Sequence, residues 1–352
     1  MQTQVVKIDR FSPESEKIKQ AIEVLGRGGL VAFPTETVYG LGANSKDKKA
    51  MAKLYEVKNR PKDKPFSLLV ADIKDIDDFT TGVLPVAYRL ADRFWPGPLT
   101  LILKSKNSLT VGLRMPKAPA VLQITRQVDF PIACPSANLS GRRSPLNTKD
   151  VLEDLEGKIE LVLDGGQVEL GVPSTVVDAR SLPVKILRKG FIDESLIQEI
   201  SSKKRILFVC TGNSCRSVMA KALFEKKLRE RGRSDIEVSS AGIAAPVGIG
   251  ASFETRQLLK EEGIDVLNHR AQYTNKEMFK RNDLILVMQR FQEEAILKNN
   301  SFLEGRVYLL KEFSKFNRNK LEIEDPINKG MDVYKRSFSA IKEAIERLID
   351  LV

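Results

Sequence analysis

Histidine is almost missing from this sequence: His269 stands alone. That excludes multi-histidine metal centres and argues against Ser-His-Asp or Cys-His catalytic sets, so any catalysis must use other groups. Cysteine is scarce too, since Cys134, Cys210 and Cys215 are too few for a disulfide framework. Residues 1–11 lack the apolar core of a secretory signal, and no apolar run approaches the roughly 20 residues that span a bilayer. A soluble, reduced, cytoplasmic protein without membrane contact is the expectation. Positive charge, by contrast, is plentiful: 57 Lys and Arg against 46 Asp and Glu give +11, which favours anionic ligands such as phosphates or nucleic acid. At 352 residues the chain exceeds one ordinary core, and two domains with two sites are expected.

The densest chemical signal is Cys210-Thr211-Gly212-Asn213-Ser214-Cys215-Arg216-Ser217. Residues 206–209 before it read as a buried parallel strand, and Val218, Leu223, Phe224 and Leu228 after it have helical spacing. A loop between a strand's end and a helix aims backbone N–H groups and the positive end of the helix dipole at one point. A phosphate or a thiolate is stabilised there. Cys210 in that position is a candidate nucleophile, with inert burial as the alternative, and Arg216 can clamp phosphoryl oxygens. Asp325-Pro326, on a loop ahead of the last helix, offers an acid for the leaving group. Strands at 236–239, 284–288 and 307–310 alternate with helices at 253–262 and 331–352. That alternation predicts a doubly wound parallel sheet whose ligand site lies at the strands' carboxyl ends.

The first half also alternates. Ser12-Pro13 reads as a helix start, with the stripe Ile18, Ala21, Ile22 and Leu25 ending at Gly28-Gly29. A strand at 30–33 is broken by Pro34 and delivers Thr35-Glu36-Thr37 and Tyr39-Gly40 to a loop. A second helix, carrying Met51, Leu54 and Val57, ends in Lys58-Asn59-Arg60, with Lys62 and Lys64 close behind. Those cations either gather a polyanion or complement the helix C-terminus in water. Strands follow at 66–70, 99–103 and 131–134, the last opening into Pro135-Ser136-Ala137-Asn138. Arg114 lies in a short apolar strand where an unpaired charge is costly, so it must meet an anion; a structural carboxylate serves as well as a ligand. Further strands at 161–164, 173–178 and 184–188 complete an α/β sheet.

Several motifs of this half occur in a recognisable order: Pro34-Thr35-Glu36-Thr37-Val38-Tyr39-Gly40-Leu41-Gly42, Lys58-x-Arg60, Trp95-Pro96-Gly97-Pro98, Arg114-Met115-Pro116, Ser136-x-Asn138-x-Ser140-Gly141 and Pro173-Ser174-Thr175. Over about residues 5–200 the chain thereby resembles the threonylcarbamoyl-AMP synthase family. The resemblance implies an enzyme that joins L-threonine, bicarbonate and ATP with loss of pyrophosphate, feeding the t6A modification of tRNA. ATP would bring its own Mg2+, with no protein-bound metal. By matched position, Arg114 would hold the threonine carboxylate, with Thr35, Thr37, Ser174 and the backbone at Cys134 completing that pocket. Lys58, Arg60, Lys64 and Arg188 would face the phosphates, and Thr110, Ser136, Asn138 and Ser144 the nucleotide. Leu69 stands where many members carry histidine. The implied fold is a twisted mixed sheet around a basic concave groove. Some relatives bind RNA, so an RNA-binding module without synthase activity is the alternative, and tRNA or tRNA-modification proteins are possible partners.

The Cys210 loop, Ser240-Ala241-Gly242 and Asp325-Pro326 resemble the low-molecular-weight protein phosphatase family over about residues 204–352. That implies a phosphocysteine on Cys210 hydrolysed by water that Asp325 activates, Asn213 shaping the loop and Ser217 donating to the thiolate. Cys215 is then the partner for reversible oxidation. Arsenate reductases share the loop string, but their relay needs downstream cysteines and none follows Cys215. Serine at 214 points to protein phosphoarginine first and phosphotyrosine second, a strict tyrosine phosphatase being the alternative. The expectation is a bifunctional enzyme with a synthase-like domain at 1–200 and a phosphatase-like domain at 204–352.

Overall fold

The computed structural model describes residues 2–315 and 320–352, and the chain divides into the units Met1–Ser201 and Ser202–Val352. The first unit is built on one sheet. Its strands among the described residues are β1 (Gln4–Lys7), β2 (Val31–Phe33), β3 (Gly40–Asn44), β4 (Leu68–Leu69), β5 (Leu99–Lys104), β6 (Thr110–Arg114), β7 (Ile132–Ala133), β8 (Leu161–Asp164), β9 (Thr175–Asp178) and β10 (Lys185–Arg188). They lie in the order β1-β8-β2-β3-β7-β4-β6-β5-β9-β10. Parallel pairs such as β2·β8 and β5·β9 mix with antiparallel ones such as β2·β3 and β5·β6.

Three details differ from the pattern read in the sequence. Residues 40–44 form a central strand rather than a loop, because Leu41 and Ala43 are fully buried on it and glycine lets it press against its neighbours. A Cβ at Gly40 would lie 2.6 Å from the Cys134 sulfur and 3.2 Å from the Phe33 ring. The first helix spans Ser15–Gly26 with Glu14 as its N-cap. Asp9 takes the Phe11 and Ser12 N–H groups at 2.8 Å each, holding Ser12-Pro13 in the preceding turn. The strands expected at 66–70 and 131–134 shorten to β4 and β7, the latter confined between Pro131 and Pro135, since proline cannot donate to a ladder.

The second unit has β11 (Lys204–Cys210), β12 (Ile236–Gly242), β13 (Leu284–Val287) and β14 (Val307–Leu309) in the order β12-β11-β13-β14. Every pair is parallel. Alternation along β11 divides the core between the two faces. Ile206 and Phe208 pack with the helices Arg216–Glu230 and Met331–Leu348 through Phe224, Phe338 and Ile341. Leu207 and Val209 pack on the opposite face with Phe279, Ile285 and Ile296. Phe208 meets Phe224 edge to face, the centroids 5.9 Å apart, and truncating such a ring to alanine costs about 3–5 kcal/mol. Burial on both faces explains why β11 reads as a continuous apolar run. The last helix stops at Leu348, four residues short of the expectation.

Candidate active sites

In the first unit, the ends of β2, β6, β7 and β9 and the C-terminus of the helix Lys48–Lys58 surround a cavity of about 280 Å³. It brings together Thr35, Lys58, Arg60, Arg114, Cys134, Ser136, Asn138, Ser144, Ser174 and Arg188, and Leu69 lines it as well. Thr37, Lys64 and Thr110 are not among its lining residues. Lys64 meets Arg60 through its carbonyl, which accepts from Arg60 Nε at 2.9 Å. Thr110 lies at the far end of β6 from Arg114.

Arg114 has the anion its burial demands. Its Nη2 donates to Glu36 Oε1 at 2.8 Å and to Thr37 Oγ1 at 2.7 Å. Glu36 is itself buried, and its other oxygen accepts from the Lys117 N–H at 3.1 Å. The structural carboxylate left open by the sequence is therefore Glu36, although Arg114 Nε remains buried without a partner. Arg188 donates from Nε and Nη2 to the Ser174 carbonyl at 3.1 and 2.8 Å. Ser174 Oγ pairs with Thr100 Oγ1 at 2.8 Å, so Thr100 also belongs to the site. Burial first, then the charges of Arg114 and Arg60, push the Arg188 pKa below its ordinary range.

Lys58 sits deeper than its place in the sequence suggests, only 3% exposed. Its ammonium donates to the Ser136 carbonyl at 2.6 Å, to Asn138 Oδ1 at 3.0 Å and to the Asn138 carbonyl. Burial, with Arg60 adding to it, holds Lys58 down to about 8. Asp154 tethers the same loop, accepting from the Leu139 N–H at 2.9 Å and from Arg142 Nη1 at 2.6 Å. The Cys134 N–H is spent on the Ser67 carbonyl at 2.9 Å, and burial pushes its thiol up to about 12.

In the second unit, β11 ends at Cys210 and the helix Arg216–Glu230 begins six residues later, the loop between them wrapping the Cys210 sulfur. Sγ receives the Asn213 N–H at 3.3 Å and lies 3.0 Å from Ser217 Oγ. Asn213 holds a left-handed φ of 52°. Its side-chain Nδ2 donates to Ser217 Oγ and Ser240 Oγ, both at 3.0 Å, while Oδ1 accepts from the Gln272 N–H at 2.9 Å. Gly242 makes room for this loop, since a Cβ there would stand 2.4 Å from the Thr211 carbonyl.

Arg216 is 1% exposed. It donates from Nη1 to the Ile323 carbonyl at 3.0 Å and to Gln289 Oε1, and from Nη2 to Asp325 Oδ2. Its Nε is buried without a partner. Cys210, Ser214, Cys215, Arg216 and Asp325 line one cavity of about 380 Å³ whose outer wall is Ala244, Pro246, Ile249 and Ile327. Gln289 and Gln292, the latter donating to Thr211 Oγ1 at 3.1 Å, support the loop from beyond β13. Neither carries a sequence signal, glutamine being ordinary at a helix start. Among the described residues, no three His, Cys, Asp or Glu side chains converge as metal ligands.

The Sua5/YciO/YrdC family model, described as telomere recombination, matches residues 23–190. The model described as low molecular weight phosphotyrosine protein phosphatase matches residues 205–352. A putative threonylcarbamoyl-AMP synthase of Mycobacterium tuberculosis is 34% identical over 203 residues, covering 54% of this chain and 93% of that protein. The chain joins a threonylcarbamoyl-AMP synthase family domain to a low-molecular-weight phosphatase family domain. For the synthase-family domain, the Bacillus subtilis threonylcarbamoyl-AMP synthase is 44% identical over 203 residues, 54% of this chain and 58% of that protein. The crystal structure of Escherichia coli YciO matches at 28% identity and a TM-score of 0.51, covering 54% of this chain and 97% of that one. The chain covers 49–59% of the length of the first curated relatives it matches. Within the phosphatase-family domain, no helix among the described residues is long and apolar enough to cross a membrane, and the same holds for the synthase-family domain.

Proposed function

We propose that residues 1–200 make threonylcarbamoyl-AMP from L-threonine, bicarbonate and ATP. The observation that carries this is the pair of guanidinium groups, Arg114 and Arg188, lining a cavity with hydroxyls and an unpartnered Arg114 Nε. Glu36 offsets Arg114, but Arg60 and Arg188 add further positive charge to the same partly buried lining, and such crowding calls for an anionic ligand. Arg114 Nε meets the threonine carboxylate in this reading, with Thr35, Thr37 and Ser174 around the amino acid. The carbamate formed on the threonine amine attacks the α-phosphate, and the bond to pyrophosphate breaks. Arg60 and Arg188 stabilise the charge moving onto pyrophosphate, with Lys64 at the rim. Mg2+ enters with the triphosphate as part of the substrate. Lys58 contributes by fixing Ser136 and Asn138 and by its charge. In this reading the lining would serve as the basic groove expected of the first half, and the product would serve tRNA t6A modification in the cytoplasm, with tRNA or its modifying proteins as partners.

Residues 204–352 would hydrolyse a phosphorylated protein side chain. The observation that carries this is the sulfur of Cys210 held between the Asn213 N–H and Ser217 Oγ, in one cavity with Arg216 and Asp325. Cys210 attacks phosphorus, Arg216 binds the equatorial oxygens through its free Nε, and Asp325 protonates the leaving atom. Asp325 then takes a proton from the water that cleaves the phosphocysteine. The aliphatic outer wall and the small Ser214 favour the extended stem of phosphoarginine over phosphotyrosine.

The test uses the intact chain. Pyrophosphate release should require threonine, bicarbonate and ATP together and should fall with Arg114→Ala. Phosphatase turnover should disappear in Cys210→Ser, and each variant should spare the other activity. Salt-sensitive RNA binding without pyrophosphate release would replace the first reading by the RNA-binding one. A strong preference for phosphotyrosine peptides would overturn the second substrate assignment.

A further inference from the structure

The cations that line the cavity of the first unit are Lys58, Arg60, Arg114, Arg142 and Arg188. Most are tied into its wall. Lys58 gives its three N–H groups to Ser136 and Asn138. Arg60 spends Nε and Nη2 on the Lys64 and Pro65 carbonyls, Arg188 spends the same two groups on Ser174, and Arg114 is turned by Nη2 onto Glu36 and Thr37. Arg142 differs. Its side chain makes one bond among the described residues, from Nη1 to Asp154 Oδ1 at 2.6 Å, and is 63% exposed at the cavity's mouth.

The turn that carries Arg142 is fixed from below. Asn138 Nδ2 donates to the Arg142 carbonyl at 2.8 Å and to the Arg143 carbonyl at 3.1 Å, while its Oδ1 accepts from Lys58 Nζ at 3.0 Å and from Ser136 Oγ at 2.6 Å. Both amide protons and both lone pairs are thereby used, so Asn138 serves the turn. The Ser140 N–H closes on the Lys58 carbonyl at 2.9 Å, and Gly141 takes a left-handed φ of 88°. Asp154 is buried, and its other oxygen holds the Leu139 N–H at 2.9 Å. An arginine anchored by one Nη to a fixed carboxylate has its Nε–Nη2 edge left over. That edge matches two oxygens of a phosphate.

We propose that Arg142 is a further phosphate-binding residue of the first unit, taking the outer phosphates of ATP and then pyrophosphate on its Nε–Nη2 edge while Asp154 positions it. The proposal rests on the reading of this cavity as an ATP site. The outer phosphates are the part of ATP that must leave through the mouth, where Arg142 stands. Charge moving onto that leaving group then meets a cation whose donors are unspent. Asp154 would keep Arg142 oriented without competing for the edge that binds.

The experiment titrates the intact chain with inorganic pyrophosphate in a calorimeter and measures the Michaelis constants for ATP and threonine. Any binding at the second unit is common to all the proteins compared and drops out of the difference. Arg142→Ala should weaken pyrophosphate and raise the constant for ATP by roughly tenfold each, as loss of charge-assisted bonds does, with that for threonine unchanged. Arg142→Lys, which keeps a cation for Asp154 but has no second donor edge, should recover only part of the loss. Arg143→Ala removes the same charge one residue on and should bind pyrophosphate as the wild type does. Unchanged pyrophosphate affinity in Arg142→Ala overturns the proposal, and so does an equal loss in Arg143→Ala or full recovery in Arg142→Lys. Arg142-dependent pyrophosphate binding in a chain that makes no threonylcarbamoyl-AMP would sink the synthase reading alone and leave this one standing.

Discussion

His269 Nε2–H donates to the main-chain oxygen of Asn213 across 2.7 Å, so the chain's only histidine braces the one residue of the Cys210 loop that is held in a left-handed conformation. A carbonyl can only accept, so the ring carries its proton on Nε2.

That contact predicts a pH dependence. Burial, aided by the charges of Lys221 and Arg270, lowers the His269 pKa despite the bond to Asn213. Below an unfolded value of about 6.5 the unfolded chain therefore binds the extra proton first. Stability of the second unit should fall as pH drops from there through the lower folded value. Thermal unfolding followed between pH 7.5 and 5 should lose this slope in His269→Gln, and a slope that persists would assign it to other groups.

Asp325 rests on Arg216 and also accepts the Ile327 N–H at 3.2 Å. A phosphoryl group must share Arg216 with it. Asp325→Asn should cut turnover by roughly 10²–10⁴-fold, as removing a general acid does, while inorganic phosphate binds at least as well as before. Isothermal titration with phosphate checks the second half, since weaker binding would contradict the competition.

Glu36 is the counter-charge of Arg114. Glu36→Leu leaves a buried guanidinium unpaired and should destabilise the first unit by about 3–5 kcal/mol, read as a lower denaturant midpoint. Glu36→Gln keeps an acceptor and should fold, with the Michaelis constant for threonine changing more than that for ATP.

Lys58 gives a prediction of the same sign in a higher pH window. Its ammonium titrates near 8 because it is buried, whereas a free lysine titrates at about 10.4. Between those values the unfolded chain holds the additional proton, so stability of the first unit should rise with pH through that window. Lys58→Met should flatten the rise. It should also cost about 1–3 kcal/mol by leaving the Ser136 and Asn138 carbonyls without their donor, and weaken ATP more than threonine in steady-state kinetics.

Much of the second site was legible because its parts are adjacent in sequence. Cys210, Asn213, Arg216 and Ser217 fall within one turn between a continuous apolar strand and a helix, and local spacing carries that information. The first site was legible only as fragments. Arg114 announced that it needed an anion, but Glu36 is 78 residues away, and nothing local pairs them. Thr100 and Gln292 are ordinary residues on regular elements, made relevant by packing alone. Lys58 misled in its depth: a lysine at a helix end reads as solvated, and only the returning Ser136–Asn138 loop buries it. The strand at 40–44 was hidden because its glycines, needed for close approach to Phe33 and Cys134, look like a turn.

The pressure of Gly40 against Cys134 has a practical side. Walled in at that point, with its proton held until about pH 12, Cys134 presents almost no thiolate to an alkylating reagent at neutral pH. Iodoacetamide should therefore modify the Cys210 cavity and leave Cys134 unlabelled. The proposed phosphatase chemistry would be silenced in a chain whose synthase-family domain stays chemically untouched, which would separate the two proposed activities without altering a single codon.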